Sequence, residues 1–248
     1  MTIPNLSATD KIVVVTGASK GLGRAMALGF AEAGADVVVA SRKIEACELV
    51  ADEIRAMGRS ALPLRCHVGD WDECGALIDA SIAEFGRIDV LVNNAGIAPV
   101  PPSLTEVTSE LFDKTIAVNL KGPLRLTALA AEHMNEGGTV INISSTAALH
   151  PMPFTVVYAA AKAGLDALTK AAAAEYGPRG IRVNAIVCGT FHTDSFHHGT
   201  PLEMQEHIAA SVALRRIASA DEIIGTALFL ASEASSYLSG ELLVLDGG

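Results

Sequence analysis

The sequence has few aromatic, charged and cysteine residues and a negative net charge, and these features limit the kinds of core, partner and cysteine chemistry that the protein can have. Aromatic residues are 4% and charged residues 19% of the 248 positions, so aliphatic and alanine side chains must form most of the core. The formal net charge of -10 argues against nucleic acid as a partner, because phosphate binding needs a basic surface. The four cysteines form no C-x-x-C pair, which favours buried, reduced thiols in a cytoplasmic protein.

Long apolar runs are also missing. No stretch approaches the roughly 20 apolar residues that a membrane-spanning helix needs, and the first ten residues, MTIPNLSATD, lack the basic and apolar regions of a signal peptide. We therefore expect no membrane partner. Half of the residues are nevertheless hydrophobic. They occur in short runs, which is typical of a parallel sheet covered by Ala-rich helices.

These short apolar runs alternate with helical patterns. The predicted strands are 11–16, 36–40, 61–68, 88–92, 139–144, 181–187 and 241–245. The predicted helices are 24–34, 43–58, 70–85, 105–134 (with a break near Gly122 and Pro123), 155–176, 202–210 and 219–232. Such alternation predicts an α/β, doubly wound fold with a seven-stranded parallel sheet and helices on both faces. Without a linker or repeat, residues 1–248 are predicted to form one domain.

The glycine turn after the first predicted strand is the first candidate binding site. Gly17, Gly21 and Gly23 lie between that strand and a helical pattern. Glycines let the backbone approach a pyrophosphate, and a helix N-terminus supplies N–H groups and partial positive charge. The spacing is G-x-x-x-G-x-G and not the usual G-x-G-x-x-G, so an ordinary glycine turn is the alternative interpretation.

The stretch around Tyr158 predicts proton-transfer chemistry. Tyr158 follows Ser145 by thirteen residues and precedes Lys162 by four, which places the phenol and the ammonium on one helix face. A phenol titrates near pH ~10, and a nearby cation lowers that pKa. A phenol tuned in this way can exchange a proton with a carbonyl or alcohol oxygen. Tyr-x-x-x-Lys also occurs by chance in Ala-rich helices, so the other motifs must decide whether this pair is functional.

Those motifs follow four different predicted strands. The glycine turn follows the first, Asn93–Gly96 the fourth, Ser145 the fifth and Cys188-Gly189 the sixth. Ligands of doubly wound sheets bind beyond the carboxyl ends of the strands, near the point where the strand order reverses. The convergence of four motifs on one edge favours a functional site over chance.

Taken together, the motifs resemble those of the short-chain dehydrogenase/reductase family. They are TGASKGLG at 16–23, NNAG at 93–96, Asn119, Ser145, Tyr-x-x-x-Lys at 158–162 and LDGG at 245–248. The resemblance covers 11–248, is to the compact single-domain branch, and extends to 3-oxoacyl carrier-protein reductases and alcohol, sugar and steroid dehydrogenases. It implies a Rossmann fold and an NAD(P)-dependent oxidoreductase that moves hydride between nicotinamide and a secondary alcohol or ketone. It also implies a homotetramer with D₂ symmetry, which the Ala-rich 155–176 helix favours.

The resemblance assigns roles to individual residues. Tyr158 would be the acid/base, Ser145 would hold the substrate oxygen, and Asn119 would anchor a water chain. Lys162 would lower the pKa of Tyr158 and bind the nicotinamide ribose. The substrate loop would be about 188–212. His150 and Met152 lie outside that loop and would also face the substrate. The implied cofactor-binding residues are Gly17, Ser19, Lys20, Gly21, Leu22, Gly23, Ser41, Arg42, His67, Val68, Asn94, Ala95, Gly96, Tyr158, Lys162, Gly189, Phe191 and Thr193.

Two positions depart from the family pattern. Cys188 stands where the family usually has proline, although Gly189 remains for backbone contacts to the nicotinamide amide. His67 stands where the family often has an aspartate that bonds the adenine. His67 could bond the adenine through a ring nitrogen or could cap the strand, and the sequence leaves both open.

The end of the second predicted strand favours NADP(H), with NAD(H) possible. An acidic residue there would bind the ribose 2′-hydroxyl and select NAD, but Ser41 occupies that place. Arg42 can bond a 2′-phosphate through its planar fork, and Lys20 adds a second positive charge. The alternative is that Arg42 and Lys43 merely begin a solvated helix.

Three weaker hypotheses concern a metal site, a non-catalytic function and a different enzyme class. His192, His197 and His198 could bind a metal ion, but no cysteine pattern supports a metal site and we expect these residues to line the substrate pocket. A non-catalytic nucleotide-binding protein of the same fold is the alternative function, against which the intact catalytic residues argue. A dinucleotide-sugar epimerase or dehydratase would need an extra substrate domain. The substrate itself is not identified by the sequence.

Overall fold

A seven-stranded parallel sheet lies at the centre of the computed structural model, which describes residues 6–193, 196 and 200–248. Its strands are β1 (Ile12–Thr16), β2 (Asp36–Ser41), β3 (Ala61–Arg65), β4 (Val90–Asn93), β5 (Thr139–Ser145), β6 (Arg182–Cys188) and β9 (Leu242–Leu245). The order across the sheet is β3-β2-β1-β4-β5-β6-β9, and every neighbouring pair is parallel. The predicted sheet is thereby confirmed. A short parallel pair, β7 (Phe191–His192) and β8 (Ala218–Ser219), was not predicted.

Helices cover both faces of the sheet. They are α1 (Gly21–Glu32), α2 (Ile44–Ala56), α3 (Trp71–Phe85), α4 (Ser109–Ile116), α5 (Gly122–His133), α6 (Val156–Tyr176), α7 (Leu202–Ser211) and α8 (Ile224–Ala231). Successive strand side chains point to opposite faces, so Val13 and Val15 pack in one core cluster and Val14 packs in the other. Two apolar layers explain why the strands appear in the sequence as continuous apolar runs. In the part of the chain that is described, no helix combines the length and apolarity needed to cross a membrane.

The third strand is shorter than predicted, which moves two candidate residues into a turn. β3 ends at Arg65, and the chain then turns, with the Asp70 N–H donating to His67 O at 2.8 Å. Asp70 caps α3 by accepting from the N–H groups of Asp72 and Glu73. His67 and Val68 therefore lie in the connection between β3 and α3, at the carboxyl edge of the sheet.

The predicted helix break near Gly122 and Pro123 is wrong. Residues 117–121 form a π-helical turn that joins α4 to α5 without interruption. The wider turn accommodates Pro123, which has no N–H, near the start of α5. Gly122 is required by close packing, since a Cβ there would lie 2.2 Å from Val68 O. π-Helical turns occur often at functional sites, and Asn119 lies inside this one.

Candidate active site

One cleft of about 1190 Å³ opens at the carboxyl edge of the sheet. It lies where the strand order reverses, since β1 has β2 on one side and β4 on the other. Ser145, Tyr158 and Lys162 line it, as do all of the predicted cofactor-binding residues. The structure thus brings residues from across the sequence to a single cleft, with the exception of Asn119.

The glycine turn at one wall fits the phosphates of a dinucleotide. Gly17 has φ 66° and Gly21 has φ 55°, and a Cβ on Gly23 would lie 2.3 Å from Gly17 O. α1 begins here without an acidic residue in its first turn and without a side-chain cap from Lys20. Its first N–H groups and its positive dipole end are therefore directed at the cleft with no side chain of the helix competing for them.

Thr16 fixes the loop after β4 against the glycine turn. Its hydroxyl donates to Val92 O at 3.1 Å and accepts from the N–H groups of Asn94 at 3.0 Å and Ala95 at 3.1 Å. The Asn94 side chain in turn donates to Thr16 O at 2.8 Å. The role of Thr16 was not predicted, although its position at the end of β1, beside β4, is consistent with it.

Asn119 lies behind the cleft wall rather than on it. Its amide nitrogen donates to Ile97 O and to Thr115 O, both at 2.9 Å, and its amide oxygen accepts from Ile97 N at 3.2 Å. The side chain is fully buried. These bonds hold the loop that follows Gly96, so Asn119 positions the cleft wall, and the water chain implied by the family resemblance stays a prediction.

Tyr158, Lys162 and Ser145 lie together at the other end of the cleft. α6 places the Lys162 ammonium 5.8 Å from the centre of the Tyr158 ring, as the four-residue spacing predicts. Lys162 is 3% exposed, and its Nζ donates to Ile143 O at 2.6 Å. Ser145 ends β5, where its hydroxyl accepts from Ala147 N at 3.2 Å. α6 and the end of β5 therefore bring the three side chains together.

The expected lowering of the Tyr158 pKa is wrong for the free protein. Burial raises the pKa of the phenol, and a side-chain hydrogen bond with Ser145 only partly opposes that rise. The Lys162 ammonium is itself buried, which lowers its pKa to about 8. The four-residue spacing gives the proximity of the two groups, but burial determines the direction of the shift.

Cys188 occupies the end of β6 as a neutral thiol. Burial raises its pKa to about 12, although the Lys162 charge acts to lower it. The adjacent glycine is required by the C-terminal segment, because a Cβ on Gly189 would lie 2.6 Å from the Asp246 Cβ. This close packing at Gly189 constrains the backbone directly after Cys188, which stands where the family usually has proline. All four cysteines are free and buried, as predicted.

The exposed end of the cleft carries the residues predicted to select the cofactor. Ser41 and Ser19 share a hydrogen bond of 2.9 Å between their hydroxyl groups. Arg42 and Lys20 are exposed and line the cleft, and neither forms an ion pair with another residue of the described ranges. Both charges are thus available to an anion in the cleft.

Of the two roles that the sequence left open for His67, the structure shows the cap, and the bond to the adenine stays a prediction. Its Nδ1 accepts a hydrogen bond from the N–H of Gly69 at 3.1 Å, so the imidazole caps the turn after β3. The same ring lines the cleft. Because Nδ1 is used as an acceptor, the neutral imidazole carries its proton on Nε2, which can donate.

Several residues that line the cleft were not predicted, and two residues that were expected to face the substrate do not line it. Thr108, Glu110, Leu111 and Lys114, in and before α4, line the cleft. They could have been predicted from their place in the chain, because α4 follows the carboxyl end of β4, where the cleft lies. His150 and Met152 are exposed and do not line it.

The three histidines of the substrate loop are only partly described. His192 is exposed, whereas His197 and His198 lie outside the described residues. Within the described ranges no group of three or more His, Cys, Asp or Glu side chains could hold a metal ion.

The chain is similar to known proteins in both sequence and fold. A family model described as "Enoyl-(Acyl carrier protein) reductase" matches residues 17–248. The L-rhamnose 1-dehydrogenase (NAD(P)(+)) of Azotobacter vinelandii is 40% identical over 247 residues, which cover 96% of this chain and 96% of that protein.

Two similar structures contain a nicotinamide cofactor. A 7 alpha-hydroxysteroid dehydrogenase complexed with NADH and 7-oxo glycochenodeoxycholic acid has a TM-score of 0.95 at 34% identity, over 98% of this chain and 96% of that one. A short chain dehydrogenase from Burkholderia cenocepacia J2315 in complex with NADP has a TM-score of 0.90 at 31% identity, over 98% of both chains.

Proposed function

The chain belongs to the short-chain dehydrogenase/reductase family and is an oxidoreductase, and we propose that it interconverts a secondary alcohol and a ketone with NADP(H) as its preferred cofactor. The observation that carries the proposal is the grouping of Ser145, Tyr158 and Lys162 at one end of a cleft whose other end fits dinucleotide phosphates. Residues 1–248 act in this proposal as one dinucleotide-binding and catalytic domain, with a substrate loop at about 188–212.

Tyr158 is the proposed acid/base group. Burial raises its pKa, so the phenol is protonated at neutral pH and can donate its proton to a carbonyl oxygen. The nicotinamide supplies or accepts the hydride when it is bound. Donation leaves a phenolate, which the Lys162 ammonium one turn away stabilises. In the oxidative direction this phenolate takes the alcohol proton and becomes the neutral phenol again.

Ser145 is proposed to hold the substrate oxygen. Its hydroxyl already accepts from Ala147 N, which leaves its proton free to donate to an oxygen in the cleft. The Ser145 hydroxyl acts to lower the pKa of Tyr158, so the two groups lie near each other, which supports their contacting the same oxygen. Asn119 is proposed to support this arrangement by holding the wall at Ile97.

The preference for NADP(H) rests on charge at the exposed end. Arg42 and Lys20 are positive, and Ser41 replaces the acid that would repel a 2′-phosphate. Related proteins differ in cofactor: one similar structure contains NADP, another NADH, and the rhamnose dehydrogenase is named for both. NAD(H) is therefore the proposed second cofactor.

A panel of secondary alcohols and ketones tests the proposal. The panel includes sugars and hydroxysteroids, because relatives of this chain carry those names. Turnover is followed by the absorbance of reduced nicotinamide with both cofactors. We expect higher kcat/KM with NADPH than with NADH, and a kcat lower by about 10²–10⁴-fold after Tyr158→Phe. A higher kcat/KM with NADH would overturn the cofactor preference and leave the reaction class intact.

We also propose a homotetramer with D₂ symmetry. The outward face of α6 exposes Ala160, Ala163, Ala167 and Ala171, and small side chains permit close contact between the same helices of two subunits. Light scattering at micromolar concentration tests this, and a monomer would contradict it. The cytoplasmic location inferred from the reduced cysteines stays a prediction.

A further inference from the structure

Beside the proposed catalytic lysine, α6 carries a second buried charged residue that the proposed mechanism does not use. Asp166 lies one turn beyond Lys162, and the two are 7% and 3% exposed. Residues four apart share a helix face, so both side chains point toward the sheet. A buried carboxylate is costly unless a partner compensates its charge.

The polar groups that face α6 from the sheet compensate the negative charge of Asp166 only in part. Burial raises the pKa of the carboxyl, and the hydroxyl of Ser144, near the end of β5, is the first group to oppose that rise, followed by the charges of Lys162 and Lys170. Within the described residues, neither Ser144 Oγ nor Asp166 Oδ1 completes a hydrogen bond. The carboxylate therefore depends on nearby positive charge as well as on Ser144.

Lys162 is a buried cation and therefore needs a nearby negative charge. Burial lowers its pKa to about 8, while Cys188 and Asp166 act to raise it. Cys188 carries no charge near neutral pH, because its own pKa is raised to about 12. Tyr158 is also neutral there, since burial raises the pKa of its phenol. Among the groups that shift the Lys162 pKa, Asp166 is the one that can be an anion at neutral pH.

We propose that Asp166 is a positioning residue whose carboxylate is the buried counter-charge that keeps Lys162 an ammonium directed at Ile143 O and the cleft. The catalytic consequence of this counter-charge rests on the proposed function, whereas the electrostatic coupling does not. Ser144 supports the pair from β5, which gives a role to a hydroxyl that has no part in proton transfer to the substrate.

The charge-removing variant Asp166→Asn tests the coupling without any substrate. With ¹³C-labelled lysine, the Lys162 signal is assigned by its loss in Lys162→Arg and is then titrated by NMR in the free protein. We expect the Lys162 pKa to fall by about one unit or more in Asp166→Asn, because an opposite charge has been removed from its surroundings. An unchanged titration overturns the proposal.

Thr169→Val is the matched structural control. Thr169 is buried further along the same helix, accepts from Asn142 Nδ2 at 2.8 Å and donates to Leu165 O at 2.8 Å. Its replacement should lower Tm without moving the Lys162 titration, because no charge is lost. Equal shifts of the titration in the two variants would mean that packing, not charge, sets the Lys162 pKa, and would overturn the proposal.

The pH profile of kcat/KM supplies the catalytic readout. In Asp166→Asn the alkaline limb should move to lower pH by the amount that the NMR titration shows, while near pH ~6, where the ammonium persists in both proteins, activity should agree within about twofold. A shifted titration with superimposable profiles would overturn the positioning role. If the wild-type protein reduces no ketone, the proposed function fails, and the titration still decides the coupling.

Discussion

Two lysines lie at opposite ends of the cleft, and their surroundings differ in almost every respect. Lys20 is exposed at the glycine turn and forms no ion pair with another described residue. Lys162 is 3% exposed, donates to Ile143 O at 2.6 Å and has its pKa lowered to about 8. At the exposed end water screens each charge, whereas at the buried end each charge alters the protonation of its neighbours.

The comparison explains how the two ends can serve different purposes. Exposed cations such as Arg42 attract an anion at little structural cost, and their removal should change binding alone. Groups at the buried end, such as Tyr158, are placed by α6 and the end of β5, and their removal should change chemistry. Mutations at the two ends should therefore separate turnover from cofactor affinity.

The largest effect is expected at the buried end, from Tyr158→Phe. The variant keeps the ring but lacks the only proton that the proposed acid/base group transfers, so kcat should fall by about 10²–10⁴-fold. The dissociation constant for NADPH, measured by fluorescence, should stay within a few fold. Activity within tenfold of wild type would contradict the role of Tyr158, and unchanged kcat with weaker cofactor binding would reverse the assignment of the two ends.

A backbone change should produce the next largest effect. In Gly23→Ala the new Cβ would lie 2.3 Å from Gly17 O and 2.4 Å from Asn94 Nδ2, so the glycine turn must shift. Overpacking of this kind costs about 1–3 kcal/mol, and the affinity for both cofactors should fall roughly tenfold or more. Gly75→Ala is the control, because a Cβ at Gly75, inside α3, meets nothing within 4 Å. Equal affinities in the two variants would show that the turn does not approach the cofactor.

The fold and the position of the cleft could be predicted from the sequence because both depend on local patterns in the chain. Strands buried on both faces, such as β1 with Val13, Val14 and Val15 fully buried, appear as continuous apolar runs. The glycine turn and the residues at the strand ends follow directly after apolar runs, so their positions at the edge of the sheet can be located from the local sequence. These features therefore required no knowledge of packing.

Depth of burial could not be predicted in the same way. The four-residue spacing placed Lys162 beside Tyr158 but gave the wrong direction for the phenol pKa, because desolvation depends on what covers α6. The cap that His67 forms on Gly69 N depends on where β3 ends. The burial of Asp166 beside Ser144 arises from packing of α6 on β5, which involves residues distant in sequence.

At the exposed end, Arg42→Ala should change cofactor preference rather than turnover. A hydrogen bond to a charged group contributes about 1.5–3 kcal/mol, so NADPH affinity should fall about tenfold to a hundredfold while NADH affinity stays nearly unchanged. Lys43→Ala is the control, because Lys43 is exposed at the start of α2 but does not line the cleft. If the two variants behave alike, Arg42 merely begins a solvated helix and the preference has another origin.

The smallest effect is expected from Lys20→Ala. Lys20 is an exposed point charge without the planar fork of arginine, and exposed ion pairs contribute roughly 0.2–1 kcal/mol. NADPH affinity should therefore fall by only about twofold to fivefold at low ionic strength. The loss should shrink further in ~1 M salt, where the Debye length is about 3 Å. Binding titrations of wild type, Lys20→Ala and Arg42→Ala at both ionic strengths make the measurement. A loss for Lys20→Ala that equals that of Arg42→Ala and survives high salt would show that Lys20 makes a direct, desolvated contact, and that the glycine-turn end is less open to water than its exposure in the free protein indicates.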